Sequence, residues 1–173
     1  EKLEKNKNSK KFDLFEFDNL NTKSDFIKAR AETDSSALKK KFSNEEIYKK
    51  NLPLNSSCKS LYSIAEKIRY EALGAEMLKG INKNLKENYN QIISFKRKDQ
   101  LKTKEDVTIV EAFELYMLKK FHNIELNSLT NKMLDFWKND FDSSIGKHID
   151  YLKSNLENQN NYSSKFSEIF ENM

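Results

Sequence analysis

Ala65-Glu66-Lys67-Ile68-Arg69-Tyr70-Glu71-Ala72-Leu73-Gly74-Ala75 is a helix-like run near the middle of the chain, and Met77, Gly80 and Asn84-Leu85 follow it. Two of the three glycines of the protein, Gly74 and Gly80, therefore lie in a segment that otherwise predicts continuous helix. Glycine costs about 1 kcal/mol relative to alanine in a helix interior. The pair predicts either the close approach of another backbone or a bend in this helix.

The apolar pattern places this helix at the centre of the fold. Residues at three- and four-residue steps form one apolar stripe, which consists of Leu61, Ile64, Ile68, Ala72 and Ala75. A second face carries Tyr62, Glu66, Arg69, Leu73 and Gly80. We therefore expect neighbours on both sides of the helix. Beyond Gly74 the apolar stripe rotates, which is consistent with a bend there.

The rest of the chain predicts an all-α protein, an irregular multi-helix bundle around a long central helix that bends near Gly74 and Gly80. The spacings Ser43-x-x-Glu46 and Thr103-x-x-Asp106 are typical of capping boxes at helix starts. Helical patterns cover residues 23–42, 44–50, 57–95, 104–122, 127–139, 143–158 and 163–172. No alternating pattern of strands competes with this interpretation.

The pattern divides the chain into a lead segment, residues 1–21, and a helical domain, residues 22–173. The first eleven residues are rich in Lys, Asn and Glu, so we expect the lead segment to be poorly ordered. The stretch Phe12–Asp18 is too short to classify by periodicity. It fits either an edge strand or an apolar segment that belongs with sequence further upstream.

The charge of the chain does not by itself indicate nucleic acid. Its net charge is +4, but 27 acidic residues are interspersed with the lysines, and only Arg30, Arg69 and Arg97 are arginines. A nucleic-acid surface needs basic residues gathered on one face, so a solvated mixed-charge surface is the favoured interpretation. A single cysteine, Cys58, excludes an intramolecular disulfide. Without an apolar run near the ~20 residues of a membrane span, we expect a cytoplasmic protein.

Two carboxylates interrupt the most apolar helix, which covers residues 107–118. Glu111 and Glu114 lie one turn apart there, and a buried carboxylate needs a partner, for which Arg69 is the natural candidate. A di-iron bundle site needs Glu-x-x-His, but neither His122 nor His148 has Glu at that spacing. We therefore interpret the two glutamates as members of structural ion pairs.

The histidines and aromatic residues also favour structural roles. His122 is predicted to lie at a helix end, where a cation stabilises the dipole, and His148 is predicted to face solvent. We expect neither to bind metal. A tetrapyrrole could stack on Phe136, Trp137 and Phe141, but helical spacing favours a place in the core. The chain has no glycine-rich phosphate loop, which excludes a P-loop ATPase.

Residues 28–85 resemble the N-terminal region of the CobT family, subunits of the aerobic, ATP-dependent cobaltochelatase of cobalamin biosynthesis. The resemblance rests on Arg30, Asp34, Ala37-Leu38, Pro53, the run from Glu66 to Ala75, Met77, Gly80 and Asn84-Leu85. It is only topological over residues 104–173. Where the family often has histidines this chain has Phe42, Ser43, Asn44 and Tyr48, so no metal or proton role is carried over.

The resemblance implies a non-catalytic assembly or coupling domain of an enzyme that inserts cobalt into hydrogenobyrinic acid a,c-diamide. Its partners would be a CobS-like AAA+ ATPase subunit and a CobN-like large corrin-binding subunit, and a homo-oligomer is possible. The whole complex would use ATP, magnesium and cobalt, whereas this domain would bind no cofactor and contribute no catalytic residue. The von Willebrand A-like domain of the family is not represented, so we interpret the chain as part of a longer protein.

The residues leave other interpretations open. The chain could be a helical adaptor or nucleic-acid-binding module, or an accessory domain of an AAA+/von Willebrand A pair that remodels another metalloenzyme. The central motif could be an Arg–carboxylate clamp that holds the helix or a docking face for a partner. The candidate residues for these structural or docking roles are Arg30, Asp34, Glu66, Arg69, Glu71, Gly74, Gly80, Glu111 and Glu114.

Overall fold

The computed structural model describes residues 21–95 and 103–171, and the expectations for residues 1–20 lie outside these ranges. The described residues contain helices and turns and no strand, which confirms the all-α prediction. No helix among them has both the length and the apolar content needed to cross a membrane. The α-helices are α1 Lys23–Phe42, α2 Glu45–Lys50, α3 Ser56–Met77, α4 Lys79–Ser94, α5 Ile109–Phe121, α6 Ser128–Asp135, α7 Lys138–Ser144, α8 Ile149–Ser154 and α9 Gln159–Glu171.

Helix α3 lies at the centre of the bundle. It packs against α1, α4, α5 and α9, and its side chains from Ile68 to Gly74 are all buried. Both faces of α3 are therefore covered, as the apolar stripe and the second face predicted. Phe113 of α5 extends the core on one side, where it makes edge-to-face ring contacts with Phe141, Phe166 and Phe170.

The predicted bend in the central helix is a break at Leu78. This residue has extended backbone angles, with φ −134° and ψ 108°, and it separates α3 from α4. Its N–H still donates to the Gly74 carbonyl at 3.0 Å, so the break costs few hydrogen bonds. Helix α4 then packs against both α1 and α3. The break leaves Met77 and Leu78 exposed, at 56% and 55% of their surface.

Only one of the two glycines marks a close approach. A Cβ atom on Gly74 would lie 2.3 Å from the Leu38 side chain of α1, whereas a Cβ on Gly80 would have no neighbour within 4 Å. The approach at Gly74 is therefore made by a side chain rather than by the backbone that we expected. It lets α1 lie close to α3 at their point of contact.

Gly74→Ala will reduce the free energy of unfolding by about 1–3 kcal/mol, because Leu38 is buried and has to shift to admit the new methyl group. Urea unfolding followed by circular dichroism measures the change. Gly80→Ala is the matched control, and we expect it to stabilise the chain by about 0.4–1 kcal/mol. Leu38→Ala removes the atoms that the new methyl group would meet. Adding Gly74→Ala to Leu38→Ala should therefore cause no further loss in the free energy of unfolding. A Gly74→Ala variant as stable as the parent would contradict the packing argument.

Two helix starts differ from the prediction because the sequence offers a second capping residue nearby. Helix α2 is capped by Asn44, not Ser43, and the Asn44 side chain accepts from the Glu46 N–H at 2.8 Å. The box formed by Thr103 and Asp106 is present, but it caps only the 3₁₀ turn Lys104–Asp106. Helix α5 begins after Thr108, which forms its own capping box with Glu111.

The C-terminal third is more divided than the pattern predicted. The expected helix at 127–139 is interrupted after Asp135, and the one expected at 143–158 contains a 3₁₀ turn, Gly146–His148, before α8. Phe136 and Trp137 form the first interruption and pack partly buried against the core. The Trp137 indole N–H donates to the Val107 carbonyl at 3.0 Å. Phe141 is fully buried in the core, and Phe136 and Trp137 lie at its edge.

Candidate functional site

Arg69 and Glu71 are the most deeply buried charged residues of the central motif, each with 1% of its surface exposed. The Arg69 guanidinium forms a two-point ion pair with Glu66, one turn earlier on α3. The Nε–Oε2 distance is 2.9 Å and the Nη2–Oε1 distance is 2.8 Å. Only arginine presents a planar fork of donors that matches a carboxylate in this way.

The remaining donors of Arg69 reach the backbone of other elements. Nη2 donates to the Phe42 carbonyl at the end of α1, at 2.6 Å. Nη1 donates to the Leu156 carbonyl in the connection between α8 and α9, at 2.8 Å. One guanidinium therefore joins α3 to two other parts of the fold that are far apart in sequence.

Glu66 extends this network to α2 and α9. Its Oε1 atom accepts from Gln159 Nε2 at 3.0 Å and from the Ser43 hydroxyl. Gln159 also accepts from the backbone N–H of Asn44 at 2.6 Å and donates to its carbonyl at 3.1 Å. We call Ser43, Glu66, Arg69 and Gln159, with the two carbonyls, the Arg69 clamp. The clamp holds the α1–α2 junction and the start of α9 against α3.

The expectation that Arg69 pairs with Glu111 or Glu114 is wrong. Glu66 and two backbone carbonyls already accept hydrogen bonds from the guanidinium, so Arg69 needs no second carboxylate. Glu111 lies at the start of α5, where it bonds to the hydroxyl and N–H of Thr108. Both glutamates are half-buried, so neither meets the full cost of a buried charge.

Glu71 forms a second buried cluster on α3. Its carboxyl accepts from the Ser35 hydroxyl of α1 at 2.5 Å and from the Tyr89 hydroxyl of α4 at 2.5 Å. Lys67 lies 4.0 Å away. Burial raises the pKa of the Glu71 carboxyl despite these contacts, and burial also raises the pKa of Tyr89. The cluster joins α3 to α1 and α4.

His122 borders the Glu71 cluster and does not act as a cation at the helix end. It caps the C-terminus of α5 with 4% of its surface exposed, and its Nε2 atom lies 4.0 Å from Glu71 Oε2. Burial, with smaller contributions from Lys86 and Lys67, lowers the pKa of His122 to about 4. The imidazole is therefore neutral at pH 7, which corrects the predicted dipole role. His148 is partly exposed, in the 3₁₀ turn before α8.

The other motif residues divide between the interface of two helices and the surface. Asp34 of α1 accepts from Asn84 Nδ2 of α4 at 2.6 Å, which fixes the register of these helices. Arg30 and Gly80 are exposed. The candidate set thus contains a buried group that holds the fold and an exposed group that is open to a partner. The buried group consists of Glu66, Arg69, Glu71 and Gly74.

Sequence reasoning missed the residues that complete both clusters. Ser35, Ser43, Tyr89 and Gln159 reach the motif from three other helices or their junctions. No spacing in the sequence indicates these contacts, because each depends on how helices pack. Among the described residues, no three His, Cys, Asp or Glu side chains are placed to hold a metal ion together.

Comparison with known families agrees with the motif and extends beyond it. The family model described as "Cobalamin biosynthesis protein CobT" matches residues 3–173, which includes the C-terminal half where the motif resemblance was only topological. No solved structure matches the chain. The match covers nearly the whole sequence, and the chain belongs to the CobT family of cobalamin biosynthesis proteins.

Proposed function

We propose that this chain is the non-catalytic assembly and coupling domain of a cobaltochelatase subunit. Family membership supports a role in the cobaltochelatase of cobalamin biosynthesis. The observation that carries the coupling role is the Arg69 clamp. It joins the ends of elements from both halves of the described chain to one central helix.

The clamp makes these helices suitable for passing motion between partners. Separating α9 or the end of α1 from α3 would break the hydrogen bonds that Glu66 makes to Gln159 and that Arg69 makes to the Phe42 carbonyl. The Glu66–Arg69 pair lies within α3 and would stay intact. Hydrogen bonds to charged groups contribute about 1.5–3 kcal/mol each, so a pull on one helix moves α3 with it rather than opening the clamp. A domain of this kind transmits force without taking part in the chemistry.

The partners follow from the family resemblance. A CobS-like AAA+ subunit would hydrolyse ATP with magnesium, and a CobN-like large subunit would hold the corrin. Cobalt is the substrate that the complex inserts into hydrogenobyrinic acid a,c-diamide. This domain would work between the subunits in the cytoplasm and bind no cofactor of its own. Arg30 and Gly80, exposed on α1 and α4, are available to contact a partner.

Size-exclusion chromatography with light scattering tests the proposal. We expect the chain to form a complex with the AAA+ subunit, with or without the large subunit, that depends on ATP and magnesium. Arg30→Glu tests the exposed face of α1 without disturbing the core, and Lys132→Glu on α6 provides a control at another exposed position. Failure to form any complex under every nucleotide condition would contradict the assembly role.

A further inference from the structure

A cleft of about 660 Å³ lies between the C-terminal half of α1, α2 and α3. Lysines from all three helices line it together with two tyrosines. We call it the basic cleft, and its defining residues are Lys39, Lys40, Tyr48, Lys49, Lys67 and Tyr70. Ser43 and Glu66 of the Arg69 clamp also line it, so the cleft opens directly onto the clamp.

The surface around the cleft carries an excess of positive charge. Helix α1 ends in three exposed lysines, 39–41, and α2 ends in two more, 49–50. The exposed acids of α2 are only Glu45, which also lines the cleft, and Glu46. Glu45 pairs with Lys49 at 2.8 Å. Glu66 does not offset this charge because Arg69 pairs with it. Lysines that are dispersed along the sequence thus converge at one corner of the fold.

The tyrosines add apolar surface beside these charges. The Tyr48 ring packs against the Tyr62 ring with centroids 5.0 Å apart, and Tyr70 is buried in the wall. Burial raises the pKa of Tyr70 to about 12, so its hydroxyl remains neutral. An acidic peptide segment supplies carboxylates for the lysines and an apolar side chain for the rings. No arginine lines it, although arginine is the residue suited to two-point phosphate contacts.

We propose that the basic cleft binds an acidic peptide segment of a partner protein. Carboxylates of the segment contact Lys39 and Lys40, while Lys49 stays paired with Glu45, and an apolar side chain lies against Tyr48 and Tyr70. This deepens the proposed function and rests on it, because the cleft becomes the docking surface of the domain. The bound segment covers Ser43 and Glu66, and therefore stabilises the clamp that couples the helices.

Fluorescence anisotropy with a labelled peptide of glutamates around a single phenylalanine tests the binding directly. We expect the peptide to bind, its affinity to fall with added salt, and a peptide with glutamine in place of glutamate not to bind. Lys39→Glu/Lys40→Glu should weaken binding by about tenfold or more. Lys132→Glu/Lys138→Glu changes the net charge equally at exposed positions of α6 and α7, and should change affinity by no more than about twofold.

Three results would overturn the proposal. The two double variants could weaken peptide binding equally, which would mean that only net charge matters. Single-stranded DNA could bind as tightly and with the same sensitivity to Lys39 and Lys40, which would identify a general polyanion surface. The acidic peptide could fail to bind at low salt to a chain whose circular dichroism shows that it is folded.

Co-elution with the AAA+ and large subunits separates this proposal from the proposed function. If the Lys39→Glu/Lys40→Glu variant loses both the peptide and the complex, both proposals are supported. If it loses the peptide but keeps the complex, the assembly role stands and the cleft is not the docking surface. If the unmodified chain binds the peptide but forms no complex with either subunit, the assembly role fails while the peptide site remains.

Discussion

Arg69→Ala will reduce the free energy of unfolding by about 3–5 kcal/mol. The substitution leaves Glu66 buried without its cation, and the Phe42 and Leu156 carbonyls lose their donor. Typical domains are stable by only about 5–15 kcal/mol, so the variant should be largely unfolded at moderate urea. Urea titration followed by circular dichroism measures the loss.

Two further variants identify the cause. Arg69→Lys keeps the charge but cannot reproduce the two-point pair or reach two separate carbonyls, so we expect it to lose most of the same free energy. Arg69→Met/Glu66→Leu removes both charges. It should reduce the free energy of unfolding by less than Arg69→Ala does, because no unpaired charge remains. If the double variant is the less stable protein, or if Arg69→Ala costs less than about 1 kcal/mol, the clamp does not hold the fold as described.

Lowering the pH from 6.5 to about 4 will remove about 3 kcal/mol of stability through His122 alone. The imidazole has a pKa of 6.5 when unfolded and about 4 when buried, so the unfolded state takes up the proton first. The contribution of His122 is therefore fully present above pH 6.5 and is lost as the pH falls towards 4. Unfolding in urea at a series of pH values measures this slope.

The His122→Gln variant isolates this effect from the neighbouring carboxyl. Glu71 acts in the opposite direction, because burial raises its pKa above 4.5 and its contribution to stability is lost as the pH rises. The difference in the free energy of unfolding between the parent and His122→Gln should become independent of pH above 6.5. Glu71→Gln should reduce the loss of stability at rising pH instead. A slope that His122→Gln leaves unchanged would place the titrating group elsewhere.

The sequence predicted those parts of the fold that depend on local pattern. Helix α1 runs over the predicted residues 23–42, and the bend near Gly74 and Gly80 occurs at Leu78, between them. Helix starts were displaced where two capping residues compete, as at Thr103 and Thr108. Both threonines form capping boxes, so spacing alone does not indicate which of them begins the long helix.

The candidate site was predictable only within one helix. Glu66 and Arg69 are three residues apart on α3, which is the spacing of an ion pair on one helix face. The contacts from Gln159, Tyr89 and His122 cross between helices and follow only from the tertiary structure. The pairing of Arg69 with Glu111 failed for the same reason. Charge complementarity identifies possible partners, but distance selects among them.

The two carbonyl acceptors of the clamp carry no side-chain identity. Phe42 and Leu156 contribute only their backbone oxygens to Arg69, and every amino acid has that oxygen. The Leu156 side chain lies in the hydrophobic core and that of Phe42 packs against it, so packing restricts both positions. Related chains can replace either side chain with another that packs in the same place and still retain the contacts, provided that the arginine and the path of the backbone are kept. Glu66 and Arg69 should consequently be the part of the clamp that is recognisable in distant relatives. The hydrogen bonds to the two carbonyls require no particular side chain, so a comparison of sequences does not reveal them.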